Sequence, residues 1–80
     1  MEIKNNECYL NQQELDALGI LGSNVYPVDY MRERLPASIL DMEFELSCAL
    51  SKDSRAELIE RLAVANYIDD LLMYAELHRL

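Results

Sequence analysis

Ile39-Leu40-Asp41-Met42-Glu43-Phe44-Glu45-Leu46-Ser47-Cys48 decides the fold, because it reads two ways. With period two, Leu40, Met42, Phe44, Leu46, Cys48 and Leu50 alternate with Asp41, Glu43, Glu45 and Ser47, as in a half-buried strand. With period 3.6, Ile39, Met42, Leu46, Ala49 and Leu50 make one stripe, with Leu40, Phe44 and Cys48 beside it. Propensity arbitrates. Leu, Met, Glu and Ala favour helix, and Ile39 is the one β-branched residue of the stretch. The stretch is therefore expected to be helical.

Downstream, Ser54-Arg55-Ala56-Glu57 has the form of a capping box. It precedes a periodic run without Gly or Pro to the end of the chain, which predicts one long helix over 54–80. Its apolar residues do not keep to one stripe. Leu58, Ile59, Leu62, Met73, Leu77 and Leu80 lie on one side, and Val64, Tyr67, Ile68, Leu71, Leu72 and Ala75 on the other. A helix apolar on most sides is buried on most sides. Three short partner segments cannot cover it, so a second copy or a different protein is expected to meet part of it.

Upstream, Pro36 is expected to separate two helices, because a proline disfavours helical geometry in the residue before it. A short helix from Pro27 would carry Val28, Met31 and Leu35 at helical spacing. Ser23-Asn24-Val25-Tyr26-Pro27 reads as a connector. Before it, Asn11-Gln12-Gln13-Glu14 is a second capping box, opening a short helix with Leu15, Leu18 and Leu21 on one face and an end at Gly19 or Gly22. Residues 1–10 alternate weakly and could be extended, but a lone strand has nothing to pair with. The fold class expected is all-α: a single domain over 1–80, a compact bundle of three or four helices around the C-terminal one. The fallback is α+β, with 1–10 and 39–48 as strands.

The chain holds fifteen acidic and seven basic residues, a net charge of −8, yet about half of it (51%) is apolar. Disordered acidic tails lack the apolar residues for a core, so a folded domain with a negative surface is expected. Such a surface favours basic partners and disfavours direct contact with nucleic acid. The seven cations are scattered and form no stripe that could track a phosphate backbone. Met1-Glu2-Ile3-Lys4-Asn5-Asn6 has no apolar stretch behind a basic start, and no run approaches the ~20 apolar residues of a membrane span. A cytoplasmic protein with Cys8 and Cys48 as free thiols is the simplest expectation.

Chemistry is hard to find. His78 stands alone near the C-terminus, where it suits the helix dipole better than a ligand role. Two cysteines and one histidine do not make a zinc set, and no spaced acidic loop offers a calcium cage. Gly19 and Gly22 form no phosphate loop. No cofactor, metal or enzymatic activity is expected. The candidate partner-binding residues are the carboxylates Asp41, Glu43, Glu45, Asp69, Asp70 and Glu76, with Tyr67 and Tyr74 as apolar anchors carrying polar tips. Asp69 and Glu76 are seven residues apart and share a face with Leu58 and Leu62, where unpaired burial would be costly.

Small size, acidity, excess apolar surface and no catalytic set together resemble the small acidic anti-defence proteins of phages, such as anti-CRISPR proteins and DNA-mimic inhibitors. Immunity proteins for nuclease toxins and some antitoxins share the profile. The resemblance is one of composition over the whole chain, with no motif behind it. It implies a phage protein acting in the bacterial host cell, whose carboxylates stand in for phosphates and block the basic groove of a nucleic-acid-binding effector or nuclease. The alternative is a structural or adaptor protein that oligomerises, as a homodimer for instance, or docks through its long C-terminal helix.

Overall fold

The computed structural model describes residues 1–48 and 51–78. Six elements follow one another: β1 (Glu2–Lys4), β2 (Glu7–Tyr9), α1 (Gln12–Leu18), β3 (Val25–Pro27), α2 (Val28–Cys48) and α3 (Lys52–His78). The three strands form an antiparallel sheet in the order β1-β2-β3. The protein is therefore a small α+β domain and not an all-α bundle.

The strand partner judged missing lies within the first ten residues. Asn5 and Asn6 both take positive φ, 52° and 62°. A two-residue loop with both positions left-handed matches the twist of a tight hairpin, and Asn tolerates that conformation better than most residues. It pairs Ile3 with Cys8. The third strand comes from the supposed connector, where Tyr26 pairs with Cys8. Ile3, Cys8 and Tyr26 thus form one cross-strand row. Cys8 is fully buried at its centre and the other two residues pack against the core. Pro27 is tolerated because β3 is an edge strand.

α1 is the excursion between β2 and β3, and its boundaries follow the expected signals. Asn11 and Glu14 form the reciprocal capping box, and Gly19 closes the helix in the left-handed region at φ 68°. Leu15 and Leu18 are buried, whereas Leu21, beyond the cap, is 95% exposed.

The stretch 39–48 is helical, but its helix does not begin after Pro36. α2 runs unbroken through that proline. The reason is phase: Val28, Met31, Leu35, Ile39, Met42 and Leu46 follow one another at steps of three or four without a slip, and all are buried or packed on the core. A proline inside a helix costs about 3 kcal/mol. Burial of apolar side chains in register on both sides offsets that cost. Pro36 itself is exposed.

α3 starts earlier than the Ser54 box implies. Ser51 is the cap, its hydroxyl accepting from the Ser54 amide at 3.1 Å. The helix is about 40 Å long by its rise per residue and sets the 42 Å long axis of the molecule. It buries one stripe, Leu58, Leu62, Ala65, Ile68, Leu72 and Ala75, drawn from both of the sides distinguished in the sequence. α2 packs antiparallel on it, and the sheet and α1 lie across the hairpin they form. The positions 49, 50, 79 and 80, which entered the stripes above through Ala49, Leu50 and Leu80, lie outside the described residues.

One tie joins the covering layer to α3, and a second holds that layer together. The Arg61 Nε of α3 donates to the Ala17 carbonyl at 2.9 Å, satisfying an orphan acceptor at the end of α1. Buried Glu14 meets the Met1 amine at 2.9 Å and accepts from the Asn11 amide at 2.8 Å.

Candidate functional site

Which flank of the hairpin the covering layer occupies can be read from the residues it meets. On α2, Arg34, Ser38, Asp41 and Glu45 line a cavity of about 240 Å³ with Leu18 and Arg61. On α3, Glu57, Glu60, Arg61 and Val64 line a groove of about 400 Å³ with Gln13, Asp16 and Ala17 of α1. Each residue turns a helix by about 100°. Leu40 on α2, and Ile59, Met73 and Leu77 on α3, stand about 130–170° round from those rows. They lie on the opposite side, and toward the N-terminus of α2 that side is met by the first hairpin, where Ile3 and Asn6 line a cavity of about 280 Å³ with Val28, Asp29, Arg32 and Ala75. All four are exposed, Leu40 to 66% and Leu77 to 78%. Phe44, Tyr67 and Tyr74 are exposed as well, and Tyr67 lines a cavity of about 380 Å³ with Met1, Asn11, Gln13 and Glu14 of the covering layer.

The candidate carboxylates do not form one site. Asp41 and Glu45 are one turn apart and share the α1 side of α2. Glu43 lies between them in sequence, so it turns to the opposite flank. On α3, Asp70 projects from the open side, while Asp69, half-buried, and Glu76, exposed, lie nearer α2. Because α2 and α3 are antiparallel, the group at 41–45 and the group at 69–76 sit at opposite ends of the hairpin, roughly 20 Å apart by helical rise. Tyr67 and Tyr74 do share a face, two turns apart. Tyr74 stacks at a tilt on His78, ring centroids 4.1 Å apart.

The α1–α3 groove was missed in the sequence. It brings Asp16, Glu57 and Glu60 beside Asp41 and Glu45, with Arg61 lining both cavities. The spacings Gln13/Asp16 and Glu57/Glu60 put each pair on one helical face. Nothing local says that the two faces meet.

Among the described residues, ion pairs engage three acidic side chains only: Glu14 with the amine, Glu2 with Lys4, and Asp29 with Arg32 at a long 3.8 Å. None of the candidate carboxylates is neutralised this way. Arg55 is turned to the Leu46 carbonyl at 3.1 Å and Arg34 to the Tyr30 hydroxyl at 2.7 Å. The described surface is thus dominated by carboxylates with no cation of their own.

Neither cysteine is in a disulfide; Cys8 is buried and Cys48 exposed. Burial pushes the Cys8 thiol up, against a downward pull from Arg32, so it stays protonated and unreactive. Among the described residues no group of three His, Cys, Asp or Glu is placed to hold a metal ion. No described helix is long and apolar enough to cross a membrane. Comparison with known proteins gives no match to a family model, a curated protein or a solved structure.

Proposed function

We propose that this chain is a non-enzymatic inhibitor that binds a basic nucleic-acid-handling protein and blocks its nucleic-acid surface, with carboxylates standing where phosphates would. The observation that carries the reading is the scarcity of internal partners for the acidic side chains, in a chain of net charge −8. Unneutralised charge of one sign costs self-repulsion in the folded state and accelerates encounter with a surface of opposite sign. The proposal places the protein in the cytoplasm, that of a bacterial host cell if a phage encodes it. It involves neither direct nucleic-acid binding nor a cofactor.

The test is capture from a lysate of the native host with elution along a salt gradient. The expected product is a basic nuclease or effector subunit released by salt, whose nucleic-acid binding the chain then competes away. Charge reversal at Asp69 and Asp70, or at Asp41 and Glu45, is expected to weaken that capture at least about tenfold for one of the pairs. If neither pair matters and the captured protein still binds nucleic acid in the presence of the chain, the reading fails.

The exposed Leu40, Phe44, Ile59 and Leu77 favour a second reading, an adaptor or assembly protein held by apolar contacts. Its mark would be association that resists salt, or sedimentation as a dimer at tens of micromolar, roughly, because apolar burial is not screened.

A further inference from the structure

We infer that the recess between the β1–β2 hairpin and the start of α2 is a binding site for a monocarboxylate with a short apolar tail, held by Arg32. The site stands apart from the inhibitor reading, which uses the chain's own carboxylates. Ile3 and Asn6 of the hairpin, Val28, Asp29 and Arg32 of α2, and Ala75 of α3 line a recess of about 280 Å³. At about 30 Å³ per water, that is room for roughly eight to ten non-hydrogen atoms. Val28 and Ala75 are buried and Ile3 packs against the core, so one wall is apolar.

Arg32 differs from its fellow arginines. Arg34 donates to the Tyr30 hydroxyl, Arg55 to the Leu46 carbonyl and Arg61 to the Ala17 carbonyl. The Arg32 Nε is buried and has no hydrogen-bond partner among the described residues. Asp29 approaches the Arg32 Nη1 only to 3.8 Å, beyond hydrogen-bond length, from a side chain 96% exposed. Such a pair is weak and leaves Nε unserved. A buried charged donor without an acceptor is costly, and points to an acceptor from outside the chain. A carboxylate fits the edge of a guanidinium, accepting from Nε and one Nη in parallel.

Charge limits the ligand to a monoanion. Asp29 lines the same recess and the chain carries −8, so a dianion meets more repulsion than a single carboxylate. A neutral amide would reach Nε but forgo the charge-assisted bond. The tail lies along Ile3, Val28 and Ala75. A free small acid and a peptide C-terminus ending in an apolar residue share this chemistry.

The test uses the intact chain, labelled with nitrogen-15, and follows the Arg32 Nε–H signal and the Val28 and Ala75 amides by NMR titration. Isovalerate is expected to shift them saturably. It is expected to bind at least about fivefold more tightly than acetate, which lacks the tail, or isovaleramide, which lacks the charge. Acetyl-Gly-Gly-Val with a free C-terminus, set against its amide, separates the two sources. Tighter binding than isovalerate by the free-terminus peptide alone assigns the site to a protein C-terminus, and no binding by either peptide assigns it to a free acid. Arg32→Gln, with circular dichroism unchanged, is expected to abolish the amide shifts. Arg32→Lys, which keeps the charge without the fork, is expected to recover less than about a fifth of the affinity. Asp29→Asn, at an exposed position, removes the rival carboxylate and is expected to tighten isovalerate binding at least about twofold. Unchanged affinity in Asp29→Asn overturns the inference whatever Arg32→Gln does to folding. Equal affinity for isovalerate and isovaleramide overturns it as well. Equal affinity for isovalerate, acetate and phosphate reduces the recess to a general anion contact and also overturns it.

Discussion

The two flanks of the α2–α3 hairpin carry similar side chains and meet different neighbours. One flank lies under the sheet and α1, and its Ile68 is fully buried. The other carries Leu40, Ile59, Met73 and Leu77 into solvent. Composition cannot separate them, because Leu, Ile and Met occur on both. Phase and neighbours do. The covered flank exists because residues 1–27 fold back as a sheet-and-helix layer, knit together by the Glu14–Met1 ion pair and tied to α3 by Arg61. Among the described residues the first hairpin reaches the other flank at the N-terminus of α2, where Ile3 and Asn6 line a cavity with Asp29 and Arg32.

Substitutions can break this comparison. Ile68→Ala, on the covered flank, is expected to cost about 2–5 kcal/mol in urea unfolding, from lost burial and a cavity. A loss under about 1 kcal/mol there would mean that the covered flank is not a close-packed core. Glu14→Gln removes the carboxylate from the buried amine and is expected to cost roughly 1–3 kcal/mol, with the amide signals of β1 the first to lose protection in hydrogen exchange. Pro36→Ala, on the exposed side of α2, is expected to raise stability by about 1–2 kcal/mol, since alanine restores the amide that the Arg32 carbonyl lacks. A lower melting temperature in that variant would contradict the account of α2 as a continuous helix that tolerates its proline. Phe44→Ser, at a side chain 71% exposed, is expected to move stability by less than about 0.5 kcal/mol. A large loss would show that Phe44 is part of the core.

Much of the helical part was legible in residues. The Asn11–Glu14 box and Gly19 bound α1, and the choice of helix for 39–48 follows propensity. What escaped was non-local or conflicted with a strong local rule. The sheet needed three strands of three residues, too short for any alternation to register. Its signals were the Asn5-Asn6 pair and the β-prone Val25-Tyr26. Pro36 hid the continuity of α2, although the apolar stripe from Val28 to Leu46 passes through it unbroken. Of the site, Tyr67 and Tyr74 share a face as the spacing implies. The carboxylates at 41–45 and 69–76 separate because an antiparallel turn sends them to opposite ends. The α1–α3 groove depends on a tertiary pairing that no spacing encodes.

Binding to a basic partner through carboxylates that lack internal cations is tested most simply by competition: the chain against nucleic acid for the salt-released basic host protein, across a salt series. Displacement of the nucleic acid that fades as salt rises is the expected result. No displacement, or displacement indifferent to salt, would contradict the reading.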